Sequence, residues 1–245
     1  MPDSRLPALT FFPFSRMAVI LNIETSTDVC SAALTAEGTV LCHFEDFSGR
    51  NHAAALSDFV KGCLDHARDH ELKLDAVAVS LGPGSYTGLR IGLSEAKGLA
   101  YALDIPLIGV PTLELLAVEA MFSADYNGEP FFAPMIDARR MEVYTAVYNL
   151  SLETEMEPCA MILDADSFSE VLARGEVVMC GNGSDKAHEV ITNPAAHYVS
   201  DIVPLASQMT ALSERAWHNR QFIDKAYSVP FYIKEFQALK PKRPF

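Results

Sequence analysis

The segment richest in residues that could do chemistry is Gly82-Pro83-Gly84-Ser85-Tyr86-Thr87-Gly88. Glycines at 82, 84 and 88 let the backbone take unusual dihedrals or come close to another group. A helix that follows aims its free N–H groups and positive dipole end at the loop. A phosphate or carboxylate suits such a place, and so does a plain tight turn from strand to helix; the pattern alone leaves both open. No GK[ST] closes the loop, so it is not a P-loop, and G-x-G-x-x-x-G misses the dinucleotide fingerprint by one residue. With Thr25, Ser26, Ser85, Thr87 and Arg90, the three glycines form the candidate nucleotide or anion loop. Glu24 and Asp137 each end an apolar run just before a polar turn, Glu24-Thr25-Ser26-Thr27 and Asp137-Ala138-Arg139-Arg140. Two carboxylates on facing lobes suit a magnesium–phosphate group, with Arg139 beside the second; an acid at a strand end is also an ordinary turn former. His66 and His70 stand i, i+4 in HARDH, as in a helical metal site, but no third ligand is marked and charged neighbours make them a solvated helix end. The serines lack a G-x-S-x-G elbow.

These residues need elements to hold them. Ala18 to Ile23, Ser31 to Leu34 and Thr39 to Phe47 read as three strands in a meander. From Asn51 to His70, Leu56, Phe59, Val60, Cys63, Leu64 and Ala67 recur at helical spacing. Ala76 to Ser80 is a strand into the glycine loop, Gly88 to Leu103 a helix, and Leu107 to Val110 another strand. In that helix Gly88, Gly92 and Ala96 make a stripe of small residues beside Leu89 and Leu93. The stripe fits either the chain's own sheet or the helix of a second subunit. Phe131 to Ile136 and Glu142 to Tyr148 repeat the opening strand-turn-strand, which points to a duplicated lobe. Ser167 to Arg174 reads as a short helix with Ser167 and Glu170 at capping-box spacing. Val177 to Cys180 is a strand before the turn Gly181-Asn182-Gly183, Ala206 to Asn219 a helix, and Val229 to Ile233 a last strand.

The organisation expected is therefore an irregular leader at 1–16, a lobe at 17–111, a second lobe at 112–238 whose terminal helix returns to the first, and a basic tail at 239–245. The leader has no cleavage site, Pro7 and Pro13 interrupt it, and the clean strand after Met17 makes that residue a candidate start. The 245 residues are 49% hydrophobic and 21% charged, which excludes a disordered or low-complexity chain. With 19 Lys and Arg against 32 Asp and Glu, the net charge of −13 argues against a stand-alone nucleic-acid binder. Five scattered cysteines without a CxxC pair fit reduced thiols in the cytoplasm.

Four segments, ILNIETSTDVCSAAL, SLGPGSYTGLRIGLSEAKGLAYALDIPLIGVPTLE, IDARRMEVYTAVY and VPFYIKE, are together similar to the TsaB (YeaZ) family, across Met17 to about Ala238. Members are subunits of the bacterial machinery that makes threonylcarbamoyladenosine in tRNA. The resemblance implies an α/β protein of the actin-like, Hsp70-like ATPase fold, built of two RNase H-like lobes. It also implies paralogy with TsaD, which carries threonylcarbamoyl transfer to adenosine 37 of tRNAs reading codons that start with A. TsaD-like proteins carry a metal-binding HxEGH where this chain has Val110-Pro111-Thr112-Leu113-Glu114-Leu115, so the resemblance implies a non-catalytic scaffold with no catalytic residue and no metal of its own.

The partner surface it implies is the two helices Asn51–His70 and Gly88–Leu103, through Leu56, Phe59, Val60, Cys63, Gly88, Leu89, Gly92, Leu93 and Ala96. TsaD would dock there as a heterodimer, or a second copy as a homodimer, with TsaE joining a ternary complex, the adenylate substrate coming from TsaC and tRNA held mainly by the complex. Cofactors are expected only as residual ATP or ADP and magnesium at the complex interface, and no membrane is involved. Two departures from the family stand out: Glu24 replaces the Asp of I-D-T-S-T, and Gly181-Asn182-Gly183 is a shortened adenosine loop. The alternatives are a stand-alone actin-like ATPase or kinase and, below it, a peptidase.

Overall fold

The computed structural model describes residues 18–49, 52–124, 126 and 128–234. The leader, Met17, Asn51 and the basic tail lie outside them. The first half holds β1 (Val19–Glu24), β2 (Cys30–Ala36), β3 (Thr39–Asp46), α1 (His52–Asp69), β4 (Ala76–Gly82), α2 (Tyr86–Ala102), β5 (Leu107–Pro111) and α3 (Thr112–Ser123). Its five strands pair in the order β3-β2-β1-β4-β5, the first three antiparallel and the last three parallel. The second half holds β6 (Phe131–Asp137), β7 (Glu142–Tyr148), β8 (Thr154–Ile162), α4 (Ser169–Leu172), β9 (Val177–Cys180), α5 (Ser184–Val190), β10 (Ala196–Val199) and α6 (Thr210–His218). Its order, β8-β7-β6-β9-β10, repeats the first sheet with the same strand senses. Each helix has its counterpart: α1 with α4, α2 with α5, α3 with α6.

A central strand covered on both faces must be apolar on both sides, and β1 is buried along its whole length. Val19, Leu21 and Ile23 face the cluster under α1 and α2, while Ala18 and Ile20 face the cluster under α3 and α6. Within this strand Asn22 donates from Nδ2 to Thr35 Oγ1 at 3.0 Å. On α1, Leu56, Val60, Cys63 and Ala67 fall on one stripe and are buried; on α2, so are Gly88, Leu89, Gly92, Leu93, Ala96 and Ala100. Helix α3 is shared: Leu115 and Val118 pack on the first sheet, Leu113, Leu116, Ala117 and Ala120 on the second. Helix α6 returns to the first sheet through Leu212 and Ala216, preceded by a 3-10 turn, Ala206–Met209, whose Ala206 amide donates to Ser31 Oγ at 2.9 Å.

Several elements differ from the sequence expectation. Helix α3 shows no single amphipathic stripe because its apolar residues are spread around it, with two sheets to cover. Strand β8 is half exposed and interrupted in pattern by Pro158, and α5 and β10 are too short to show a period. Val229 to Ile233 is not a strand. It crosses the first lobe in extended coil, tied by one backbone bond from the Phe231 amide to the Leu81 carbonyl at 2.8 Å, and Pro230 has no N–H to extend a ladder. The Ser167–Glu170 capping box does not form. Helix α4 begins at Ser169 behind a left-handed Phe168, and Ser167 Oγ instead bridges Asp164, accepting from its amide at 3.0 Å and donating to Oδ1 at 2.9 Å.

Candidate functional site

Strands β1 and β4 run parallel at the centre of the first sheet, so their carboxyl ends open side by side, the place where α/β sheets hold ligands. Helix α2 starts two residues earlier than the periodicity suggests. Ser85 is its N-cap, with Oγ accepting from the Gly88 amide at 3.2 Å. What approaches the three glycines is the chain itself. A Cβ on Gly84 would stand 2.2 Å from the Ser26 carbonyl oxygen, one on Gly88 2.1 Å from that of Thr25, and one on Gly82 2.7 Å from that of Phe231. The Ser85 amide donates to the Ser26 carbonyl at 2.6 Å, and Thr25 Oγ1 donates to the Gly88 carbonyl at 2.8 Å. Thr25 and Ser26 are fully buried. The turn after β1 is thus pressed into the glycine loop, and the close approach that the loop permits is self-packing. The space beside Gly84 and Gly88 is occupied by the Ser26 and Thr25 carbonyl oxygens.

Beneath the turn lies Glu24, also fully buried. Its Oε1 accepts from the Ser26 amide, and the Ser26 and Ser80 hydroxyls lie beside the carboxyl. Burial pushes the Glu24 carboxyl up to about 7; the Ser26 hydroxyl and amide and the nearby Ser80 hydroxyl draw it back only in part. The neighbouring Cys30 thiol is pushed up to about 11, first by burial and then by the charges of Asp46 and Glu24, which favours the protonated thiol at neutral pH.

The second lobe places its acid differently. Asp137 is exposed, its amide donates to Asn182 Oδ1 at 2.9 Å, and its Oδ1 accepts from the Arg139 amide at 2.6 Å and from Lys186 Nζ. Arg139 has a left-handed backbone, φ +72°, which shapes this turn. Gly181, at φ +88°, leaves room for the Met135 carbonyl, 2.4 Å from where a Cβ would be. The turn Gly181-Asn182-Gly183 therefore braces β6. The sequence placed Asn182 only in a turn and did not single out Lys186, which lies on a helix too short to show a period.

The remaining sequence candidates separate into inside and outside. Leu56, Val60, Cys63, Gly88, Leu89, Gly92, Leu93 and Ala96 are buried where α1 and α2 pack on the first sheet; Phe59 is half-buried and stacks on Phe44 with centroids 5.9 Å apart. Gly92 in particular receives Thr25 Oγ1, 2.3 Å from its would-be Cβ. Outside, the two helices flank a groove of about 650 Å³ lined by Ala53, Ser57, Thr87, Arg90, Ile91 and Ser94 among others. Arg90 lies 4.1 Å over the Tyr86 ring and donates to Tyr232 Oη at 3.1 Å. The segment carrying Tyr232 is strapped along α2 by Lys97, which donates to the carbonyls of Ala226 at 2.8 Å and Ser228 at 2.9 Å. His66 and His70 stack on each other, centroids 4.1 Å apart, with His70 Nδ1 2.9 Å from the His66 carbonyl.

Two lobes of identical strand order, exchanging their last helices, define the duplicated RNase H-like architecture of the actin-like ATPase fold, here with the first-lobe turn closed on itself. The chain belongs to the family described as TsaD: tRNA N6-adenosine threonylcarbamoyltransferase, whose model matches residues 46–213. It is 41% identical over 129 residues to the tRNA threonylcarbamoyladenosine biosynthesis protein TsaB of Escherichia coli K12, covering 53% of this chain and 54% of that protein. It is 39% identical over 132 residues to TsaB of Bacillus subtilis 168, again covering 53% and 54%. The match spans about half the length of these curated relatives. The solved structure of YeaZ from Pseudomonas aeruginosa superposes with a TM-score of 0.73 at 29% identity, over 88% of this chain and 100% of that one. A second Pseudomonas aeruginosa structure, described as similar to peptidase YEAZ, gives 0.76 at 28%, over 89% and 100%.

Proposed function

We propose that this chain is a non-catalytic scaffold in the synthesis of threonylcarbamoyladenosine at adenosine 37 of tRNA, acting through TsaD. The observation that carries the proposal is the self-filled glycine loop: the Thr25 and Ser26 carbonyls take up the space beside Gly88 and Gly84 that the glycines would otherwise open to an anion. The stretch Val110 to Leu115 adds no histidine for a metal. TsaD docks on the groove between α1 and α2, a second copy competes for the same groove, and TsaE joins the pair. Any ATP or ADP and magnesium that the assembly uses are held at the shared interface, and tRNA is held mainly by the partners. The protein works in the cytoplasm, and no helix among the described residues is long and apolar enough to cross a membrane.

The buried positions Gly92 and Leu93 are the wrong places to test docking, since a charge there unseats α2 from its own sheet. Ser57→Arg and Ser94→Arg change the groove instead, at exposed positions outside the core. Either variant is expected to keep its melting temperature within a few degrees and to lose capture of TsaD from solution together with modified adenosine in tRNA. Normal capture and normal modification by both would overturn the docking surface. Magnesium-dependent ATP turnover by the purified chain alone would overturn the scaffold reading in favour of an independent ATPase.

A further inference from the structure

A second pocket opens on the opposite face of the first sheet, away from the α1–α2 groove. It encloses about 390 Å³ between Val118, Glu119 and Phe122 of α3 and Ala211, Glu214 and His218 of α6. Ala211, Glu214 and His218 follow the i, i+3, i+7 stripe of α6 opposite to Leu212 and Ala216, which enter the core. The pocket is thus built by the two helices that the lobes exchange.

Its chemistry is unusual in one respect. Glu214 is only 9% exposed, and neither carboxylate oxygen has a hydrogen-bond partner. The His218 imidazole one turn on stands with Nε2 3.8 Å from Oε2, beyond hydrogen-bond reach. A carboxylate withdrawn from water without donors is strongly unfavourable, and the cost is relieved when a cation with N–H donors arrives. Glu119 adds a second carboxyl, half-buried and raised above its ordinary range by burial. Val118, Phe122 and Ala211 supply an apolar wall, Gln208 and Thr210 line the pocket with polar side chains, and the Phe122 ring is 81% exposed at the rim. Among the described residues no group of three or more His, Cys, Asp or Glu is arranged to hold a metal ion. Two carboxyls above an apolar wall suit an organic cation.

We propose that the α3–α6 pocket binds a primary ammonium group on a short aliphatic stem, with the ammonium on the Glu214 carboxylate and the stem against Val118, Phe122 and Ala211. A free alkylamine and the lysine side chain of another protein present the same chemistry. The inference does not depend on the scaffold role, because it concerns the other face of the lobe.

The test is a titration of the full chain with n-butylammonium chloride at constant ionic strength, followed by NMR shifts of Phe122 and Ala211 and by calorimetry. Saturable binding is expected, at least tenfold tighter than that of n-butanol, which carries the stem without the charge. Glu214→Gln should weaken butylammonium at least tenfold, about 1.4 kcal/mol, with circular dichroism reporting that the variant is folded. Ala211→Leu, which fills the pocket and leaves both carboxyls in place, should weaken it as much. Absence of saturable binding, equal affinity for n-butanol, or unchanged binding by both variants would overturn the site. Nα-acetyl-lysine methylamide separates the two sources: affinity matching butylammonium assigns the pocket to a lysine side chain, and clearly weaker affinity assigns it to a free amine.

Discussion

The two lobes share a topology strand for strand, yet they treat the acid at the end of their first strand in opposite ways. In the first lobe Glu24 is sealed beneath its own turn, with the Thr25 and Ser26 carbonyls pressed against Gly88 and Gly84. In the second, Asp137 remains at the surface, held by Asn182 and Lys186 from the corresponding strand-to-helix turn. The same place in the fold thus serves once as a buried plug and once as a solvated brace. One duplicated plan does not dictate one environment; the side chains that follow each turn decide whether water reaches it.

The strongest way to break this contrast is to crowd the plug. Gly88→Val places carbon where the Thr25 carbonyl sits and is expected to cost more than about 3 kcal/mol in denaturant unfolding, a large share of an ordinary domain's stability; an unchanged midpoint would show that the turn moves aside freely.

Next comes the charge of Glu24, raised to about 7 from its ordinary 4.5. Below about pH 4.5 the folded and unfolded chains both hold its proton. Between 4.5 and 7 the unfolded chain releases it first, so stability falls as pH rises, and above 7 the loss levels off at about 3 kcal/mol. Glu24→Gln has no such proton to lose, so the variant should gain on the parent by that amount between pH 4.5 and 8. Parallel pH profiles for the two would mean that water reaches the carboxyl.

Gly181→Ala tests the second lobe's turn, with a left-handed backbone and the Met135 carbonyl both opposed to a Cβ. It should lower stability by about 2 kcal/mol in thermal unfolding, less than Gly88→Val. The smallest effect belongs to Asp137→Asn. At a half-exposed ion pair with Lys186 it should change stability by less than about 1 kcal/mol, and a loss as large as that of Gly88→Val would remove the distinction between plug and brace.

Much of the fold is legible in the sequence because its strands and long helices repeat apolar residues at a period. β1, α1, α2 and the β6–β7 hairpin follow from that rule, and the recurrence of an acid before a polar turn exposes the duplication. Helix α3 is illegible for the opposite reason, since packing on two sheets spreads its apolar residues around the helix and leaves no single stripe to mark it. The glycine loop is visible as a place of close approach, but not what approaches. Ser26 and Gly84 are far apart along the chain, and only the parallel pairing of β1 with β4 brings them into contact. Likewise the apolar stripes of α1 and α2 are evident in the sequence, while their direction, inward onto the sheet, is set by packing that also leaves Ser94 and Arg90 outside.

By itself the sequence determined the class of the chain, its two lobes and the residue types at each turn, since these follow from local pattern and from motifs that occupy a few adjacent positions. The tertiary structure alone decided that Glu24 is buried and Asp137 solvated, and that Glu214 of α6 joins Glu119 of α3 across a pocket. Burial and the meeting of distant side chains are properties of the packed whole, because water is excluded by the sum of neighbouring elements and not by any one segment.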